Sequence, residues 1–213
     1  IVNSDWSSDV CSSDLYFTVF ALLAVCALAA PKVEVKALVE ALCPDCIYFT
    51  ANGLKDLVNT EDIMEITDLE IVPYGKAHII SRDPPQFQCQ HGDKECYANK
   101  VELCGLAHFP EHGLNMMNCM QQKYDFEDAS VEECAKTESI DASIILECAK
   151  GDEGNSLMLR AGDITPTLSY VPSVMVNGKV FTDPENVIAH ICDAYEGEKP
   201  KSCSNWKLYR CYN

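Results

Sequence analysis

The sequence has few basic residues: 16 Lys and Arg stand against 33 Asp and Glu, giving a formal net charge of −17. So acidic a chain repels nucleic acid and anionic membranes. No apolar run reaches the roughly 20 residues of a membrane-spanning helix. No glycine-rich nucleotide-binding or flavin-binding motif is present. We therefore expect no membrane span, no nucleic-acid partner and no nucleotide cofactor.

The first residues differ from the rest of the chain. Residues 16–29 form an uncharged apolar stretch that ends in Ala27-Leu28-Ala29, a small-x-small pattern typical of a signal-peptide cleavage site. The sequence starts at Ile1, without a Met, and residues 1–15 look like a translated sequencing adapter. We expect residues 1–15 to be an artefact and residues 16–29 to be a truncated signal peptide, so that the mature chain enters the secretory pathway.

Cysteine is abundant, with 13 residues. Cys11 and Cys26 lie in the segments expected to be foreign or removed. The cysteines that remain are odd in number, and they are Cys43, Cys46, Cys89, Cys96, Cys104, Cys119, Cys134, Cys148, Cys192, Cys203 and Cys211. At least one is therefore unpaired, bonded to a second chain in a disulfide-linked dimer, or lost by processing of the tail.

A predicted strand runs directly into a Cys-x-x-Cys motif. Apolar residues alternate from Lys32 to Ala41, which is typical of a strand. The polar residues sharing its other face are Lys32, Glu34, Lys36 and Glu40. The motif Cys43-Pro44-Asp45-Cys46 follows, and apolar residues then recur at helical spacing from Ile47 to Val58. The motif therefore lies between a strand and a helix, with Pro44 in the first helical turn.

The rest of the mature chain predicts a mixed α/β fold. A second strand is expected at residues 69–72, a loop at 81–92, and helices from 94 to about 159. A capping box of Ser130 and Glu133 is expected to open one helix, and Asp141 another. Asn177-Gly178 between apolar runs indicates a hairpin, and Asp183 is expected to cap the last helix. This order predicts a thioredoxin-like fold over residues 30–196, with a helical, disulfide-stapled insertion at about 90–165.

The Cys-x-x-Cys motif at a helix start favours thiol–disulfide exchange. The positive end of the helix stabilises a thiolate, so Cys43 is expected to attack a substrate disulfide and Cys46 to resolve the mixed disulfide. The Asp45 charge should oppose thiolate formation at Cys43, and this opposition should ease as Asp45 is protonated in acid. Two alternatives are a structural bridge and half a zinc site. A zinc site needs a second closely spaced cysteine pair, which the sequence lacks, so no metal is expected.

Pro172 is the second residue that points to this chemistry. It precedes the apolar run Val174-Met175-Val176, where thioredoxin-like proteins place a cis-proline beside the cysteine pair. We expect Pro172 to have a cis peptide bond, to shape the substrate groove and to hold off metal binding.

The segment from Cys89 to Cys104 carries a longer motif. It reads Cys-Gln-His-Gly, two residues, Glu-Cys, two residues, Asn, four residues, Cys; its fixed positions are Cys89, Gln90, His91, Gly92, Glu95, Cys96, Asn99 and Cys104. In this motif, the Cys43–Cys46 pair and several shorter segments, the chain from about residue 33 onward resembles the gamma-interferon-inducible lysosomal thiol reductase family.

The resemblance implies a thiol reductase that acts on protein disulfides in an acidic endosome or lysosome, or outside the cell. It places the catalytic cysteines at Cys43 and Cys46. An external small thiol is the expected electron donor, and no bound cofactor is expected. The tail, residues 197–213, resembles a segment that some members lose on maturation, and Cys211 would leave with it. The sequence has no Asn-x-Ser/Thr sequon, so sorting through N-glycans has no support in it.

The signature residues are expected to be structural. On one helix Cys96 and Cys104 would lie about 12 Å apart, too far for a disulfide between them. Their expected partners are among Cys89, Cys119, Cys134 and Cys148, and His91 is expected to be a hydrogen-bonded structural residue. Two other functions stay open: an oxidase or isomerase using the same pair, and a non-catalytic, disulfide-stapled secreted binding or defence protein.

Overall fold

The fold is organised around β1 (Val33–Val39), the strand predicted from alternation. The structure is a computed structural model that describes residues 30–204. The predicted adapter segment, signal peptide and cleavage site, and Cys211 in the tail, all lie outside the described residues. β1 is central in a four-stranded sheet with the order β2-β1-β5-β6.

The sheet mixes one parallel and two antiparallel pairings. β2 (Thr67–Pro73) runs parallel to β1, and β5 (Ser173–Val176) runs antiparallel on the other side. β6 (Lys179–Phe181) pairs with β5 through the predicted Asn177-Gly178 turn, where both residues have positive φ. Because parallel neighbours need a crossover, the chain between β1 and β2 is helical. This crossover places the Cys-x-x-Cys motif at the end of β1.

The helices account for most of the remaining described chain. The crossover contains α1 (Pro44–Phe49), a π-helical turn (Thr50–Leu54), α2 (Lys55–Val58) and α3 (Glu61–Met64). Between the hairpin of β3 (His78–Arg82) and β4 (Pro85–Gln88) and strand β5 lie α4 (Asp93–His108), α5 (Gly113–Lys123), α6 (Asp128–Thr137), α7 (Ala142–Lys150) and α8 (Asp152–Ile164). A 3-10 turn (Pro184–Asn186) precedes α9 (Val187–Ala194).

Both faces of the sheet are covered. On one face the inward residues of β1 pack with Phe49, Leu54 and Leu57 from the crossover and with Ile188 of α9. On the other face, Leu38 of β1 packs with residues of α4 and α8. A second apolar cluster, built from α4 to α7, extends the core on that side.

Four disulfides staple the described chain. Cys104–Cys148 joins α4 to α7, and Cys119–Cys134 joins α5 to α6. Cys89–Cys96 ties the loop after β4 to α4, and Cys192–Cys203 ties α9 to the segment that follows it. The prediction that Cys96 and Cys104 do not bond each other is confirmed, and both found partners among the expected cysteines. Bridges of this kind indicate an oxidising compartment.

The expected loop at residues 81–92 is wrong in its first half. Residues 78–88 form the β3–β4 hairpin, and the Asp83–Pro84 bond at its turn is cis. The two adjacent prolines favoured a loop, but Pro85 lies at the first position of a strand in a two-stranded sheet. There its missing N–H costs no central ladder bond.

Two of the expected helix caps are also wrong. α6 begins at Asp128, so Ser130 lies inside its first turn, and the Ser130 hydroxyl donates to Asp125. Asp183 precedes the 3-10 turn and accepts from the side chain of Asn186, not from a helix N–H. The third expectation is confirmed, since Asp141 accepts from the backbone N–H of Ser143 at 2.9 Å.

The strand order, the crossover and the closing hairpin confirm the predicted thioredoxin-like α/β fold. Among residues 30–204, none of the helices is both long and apolar enough to cross a membrane.

Candidate active site

Cys43 and Cys46 lie where β1 gives way to α1. Cys43 is the residue before α1 and has extended backbone angles, while Pro44 occupies the first helical position, where its missing N–H costs nothing. Both are thiols, whereas the other cysteines of the described chain are paired. Cys43 is 7% exposed and Cys46 is 0% exposed. Cys43 is therefore the sulfur that an incoming disulfide can reach.

The surroundings of Cys43 favour its thiolate. A hydrogen bond from the Cys46 thiol is the largest influence that lowers the pKa of Cys43, to about 6 from its ordinary 9.0. Burial opposes this, and the backbone N–H groups of Cys46 and Asp45 reinforce it. The Asp45 charge raises the pKa of Cys43, in the direction the sequence predicted. The net result is a nucleophile at neutral and mildly acidic pH.

The surroundings of Cys46 favour its protonated form. Burial is the largest influence that raises the pKa of Cys46, and its hydrogen bond to Cys43 and the charge there act in the same direction. The backbone N–H of Glu40 donates to Cys46 Sγ at 3.3 Å and partly offsets them. Cys43 thus tends to ionise and Cys46 tends to stay protonated, which suits an attacking thiol and a resolving thiol.

Pro172 lies beside the cysteine pair. The Val171–Pro172 peptide bond is cis, as predicted, and it directly precedes β5. The Val171 carbonyl oxygen lies 4.0 Å from Cys43 Sγ. Because β5 pairs with β1, the sheet register holds this peptide against the active-site turn.

An open groove of about 570 Å³ runs past Pro172. Tyr48 and Tyr170 line it with 72% and 47% of their surface exposed. The Tyr170 hydroxyl donates to Asp45 Oδ2 at 2.9 Å, which fixes the side chain next to Cys43. Neither tyrosine was expected to have a role from the sequence. The sequence does carry a signal for them, because one aromatic residue lies two positions after Cys46 and another lies two positions before Pro172.

The signature residues form the support behind the active-site turn. Asn99 of α4 accepts the backbone N–H of Ala41 at 2.9 Å, two residues before Cys43. Gly92 has φ of 83° at the start of α4, a conformation that favours glycine. Gln90 is exposed in the loop before it. The structure thus brings Asn99 to the turn that holds Cys43 and Cys46, whereas Cys104 lies in the disulfide to α7.

Glu40 is the residue that the sequence placed wrongly. The alternation of β1 assigned it to the polar face, but its side chain is fully buried. The strand is central, and the sheet's second face is covered at this end by the chain that leads into α4, so a polar position there is enclosed. His91 Nδ1 lies 3.8 Å from Glu40 Oε2 and 2.5 Å from Glu95 Oε2. His91 is hydrogen-bonded, as expected.

Two groups of side chains within residues 30–204 bring three metal-ligand atoms within 4.8 Å of one another. One is His108, Cys148 and Glu153, in which the Cys148 sulfur is committed to a disulfide. The other is Glu40, His91 and Glu95, in which Glu95 is already hydrogen-bonded to His91. Neither resembles the second cysteine pair that a structural zinc site would need.

Solved structures show the same fold at low sequence identity. The thiol-disulfide exchange protein alpha-DsbA2 of Wolbachia pipientis aligns with a TM-score of 0.57 and 14% identity, covering 76% of this chain and 82% of that one. The oxidoreductase DsbA of Xylella fastidiosa aligns with a TM-score of 0.52 and 13% identity, covering 86% and 91%.

Sequence relatives are considerably more similar. The family model described as gamma interferon inducible lysosomal thiol reductase matches residues 34–138. The mouse gamma-interferon-inducible lysosomal thiol reductase is 35% identical over 186 residues, covering 83% of this chain and 73% of its own. An Arabidopsis thaliana gamma-interferon-responsive lysosomal thiol protein is 31% identical, covering 85% and 84%. With the cysteine pair, the cis-proline and the signature in place, this chain belongs to the gamma-interferon-inducible lysosomal thiol reductase family.

Proposed function

We propose that this protein reduces disulfide bonds of other proteins, with Cys43 attacking the substrate disulfide and Cys46 resolving the mixed disulfide. As a member of its family the protein is a thiol–disulfide oxidoreductase. The observation that carries the assignment of roles is the contrast between the sulfurs. The pKa of Cys43 is lowered to about 6 and its position is the more accessible, whereas the pKa of Cys46 is raised by burial.

We further propose that the groove beside Pro172 receives the substrate chain. Asp45, within the Cys43–Cys46 motif, lines it, and exposed aromatic side chains line it without closing it, which suits an extended or unfolded polypeptide. An external small thiol would return the Cys43–Cys46 disulfide to the dithiol state. A permanent Cys43–Cys46 bridge, which the binding-protein alternative requires, is not supported, because both residues are thiols here.

The proposed setting is an acidic endosome or lysosome, or the extracellular space. A thiol with a pKa of about 6 has, in acid, roughly a thousand times the thiolate fraction of one at 9.0. The four disulfides fit the secretory route to these compartments. The mouse relative is named a lysosomal enzyme, which supports the same destination.

Trapping tests the order of attack. Cys46→Ser should accumulate a mixed disulfide with a disulfide-bonded test protein, visible on a non-reducing gel and mapped to Cys43 by mass spectrometry. Cys43→Ser should trap nothing. Trapping through Cys46 in the Cys43→Ser variant would reverse the assigned roles. Oxidation of a reduced test protein faster than reduction of an oxidised one would instead favour the oxidase function.

A further inference from the structure

A buried carboxyl group belongs to the residue whose backbone contacts the resolving cysteine. Glu40 follows β1, is fully buried, and is joined to Cys46 by the hydrogen bond from its backbone N–H to Sγ. The charge of the Glu40 carboxylate acts on Cys46 and that of Cys43 acts on Glu40. A carboxyl group in this position is costly to bury, so its presence calls for a physical reason.

The two oxygens of Glu40 are treated differently by their surroundings. Oε1 accepts the backbone N–H of Lys76 at 2.6 Å, whereas Oε2 is buried without a hydrogen-bond partner in the described part of the chain. Gly75 leaves the room for this carboxyl, because a Cβ at that position would come within 2.2 Å of Glu40 Cγ. The unpaired oxygen is therefore enclosed by the fold and available to carry a proton.

His91 and Glu95 connect this oxygen to solvent. His91 Nδ1 lies 3.8 Å from Glu40 Oε2 and within hydrogen-bonding distance of Glu95 Oε2, while the His91 backbone N–H donates to Glu95 Oε1 at 3.0 Å. Both carboxyl groups are fully buried, but the His91 side chain is 33% exposed. The three residues thus form a path whose inner residue, Glu40, contacts Cys46 Sγ through its backbone N–H and whose outer residue, His91, reaches the surface.

The resolving step needs such a path. Cys46 must lose its proton to attack, and the surroundings that keep it protonated also keep water away from it. We propose that Glu40, His91 and Glu95 form a proton relay in which the Glu40 carboxylate takes the Cys46 proton during resolution and His91, held by Glu95, passes it to solvent. The proposal rests on the proposed function, because it assigns a role in the second step of that reaction.

The step balances as follows. The Cys46 proton moves to Glu40, and the electron pair left on Cys46 sulfur forms the bond to Cys43 Sγ. The bond between Cys43 and the substrate sulfur breaks, and the substrate leaves as a thiolate carrying that electron pair. The cysteine pair is oxidised to a disulfide and the substrate disulfide is reduced. Glu40 then releases its proton through His91, and solvent protonates the departing thiolate.

The charges around Glu40 suit a group that gains and loses a proton during the cycle. Burial raises the pKa of Glu40 to about 7, the Lys76 N–H lowers it, the charges of Glu95 and Cys43 raise it, and that of His91 lowers it. Formation of the mixed disulfide removes the Cys43 charge, which lowers the pKa of Glu40 and leaves its carboxylate without a proton before the Cys46 proton is transferred.

The charge of His91 is maintained by its neighbours. Burial disfavours the imidazolium, but the hydrogen bond and charge of Glu95 and the charges of Glu40 and Cys43 outweigh it and raise the pKa of His91. The ring can therefore hold a proton between the two carboxyl groups.

The two chemical steps can be timed separately with a symmetrical aromatic disulfide whose thiol is coloured. Attack by Cys43 releases the first equivalent, and resolution by Cys46 releases the second. We would follow both phases by stopped flow from pH 5 to pH 8 for the wild type and for Glu40→Gln and His91→Ala. Glu102→Gln is the matched control, because Glu102 is also a buried glutamate of the described chain, and its carboxyl accepts a hydrogen bond from Gln121 Nε2 at 2.8 Å.

The second phase of Glu40→Gln should be about 100-fold slower than wild type at pH 8, a typical loss for a proton-transfer group, and close to wild type at pH 5. The first phase should persist. His91→Ala should slow the second phase, and added imidazole should restore it. Glu102→Gln should leave both phases unchanged.

Several results would overturn the relay. The first is a second phase in Glu40→Gln as fast as that of the wild type at pH 8. The second is a slowing of the second phase in Glu40→Gln that is equally large at every pH. The third is an equal slowing of the second phase in Glu102→Gln. If Glu40→Gln fails to fold, the His91→Ala variant provides the test. A second phase that is slow in His91→Ala and is not restored by imidazole would reject the relay. Absence of the first phase in the wild type would instead reject the proposed function.

Discussion

Replacing Cys46 by Ala should make Cys43 a weaker acid. The hydrogen bond from Cys46 is the largest influence that lowers the pKa of Cys43 to about 6. A hydrogen bond to a charged group contributes about 1.5 kcal/mol or more, so its loss should reduce the thiolate fraction in mild acid roughly tenfold. Cys46→Ser is the matched variant, because the serine hydroxyl can still donate to the Cys43 sulfur.

The assay is the rate of alkylation of Cys43 by iodoacetamide between pH 4 and pH 9, without reductant. Mass spectrometry of the peptide that contains Cys43 separates this reaction from that of any other thiol. The midpoint of the pH profile should move upward in Cys46→Ala and less far upward in Cys46→Ser. An unchanged or lower midpoint in Cys46→Ala would refute the hydrogen-bond explanation of the acidity.

Three further results are expected. Asp45→Asn should lower the pKa of Cys43 and speed its alkylation at pH 6, since the Asp45 charge opposes the thiolate. Asn99→Ala should lower the free energy of unfolding, measured in urea, by about 1–3 kcal/mol, because it leaves a buried N–H of the active-site turn unpaired. Replacing both Cys104 and Cys148 by Ala should lower the free energy of unfolding, also measured in urea, by about 4 kcal/mol. This magnitude is the loop-entropy value for a separation of 44 residues.

Each of these has a control and a contrary result. Asp68→Asn, at an exposed position of β2, should leave Cys43 alkylation unchanged. Asn155→Ala should be nearly neutral, since the Asn155 side chain accepts only from the Lys100 side chain among the contacts described. Replacing Cys192 and Cys203 by Ala should lower the free energy of unfolding by about 1 kcal/mol less than replacing Cys104 and Cys148, because Cys192 and Cys203 are only 11 residues apart. Equal effects of variant and control in any pair would contradict the corresponding argument.

The sequence predicted the parts of the site that depend on local pattern. Strict alternation located β1, and helical spacing placed Cys43 at the start of α1. The Asn-Gly turn located the β5–β6 hairpin, and the order of elements was enough to expect a cis bond at Pro172. The first three features are set by residues within about ten positions of one another, whereas the cis bond was expected from the order of elements along the whole chain.

The features that were missed depend on distant parts of the chain. Alternation cannot show that α4 and the loop before it cover the end of β1, so Glu40 appeared exposed. The pairing of Cys104 with Cys148 depends on how α4 packs against α7. A better signal for Glu40 was available: it is an acidic residue followed by apolar Ala41 and Leu42 and lies three residues before Cys43.

The central claim is tested most directly by reduction of a disulfide-bonded protein with a small-thiol donor at pH 4.5 and pH 7, for the wild type and for Cys43→Ser. The wild type should turn over the substrate at both pH values, with activity retained in acid because the pKa of Cys43 is lowered. Cys43→Ser should show no turnover above the thiol alone. Equal turnover by Cys43→Ser and wild type at both pH values would contradict the account and leave the cysteine pair without a catalytic role.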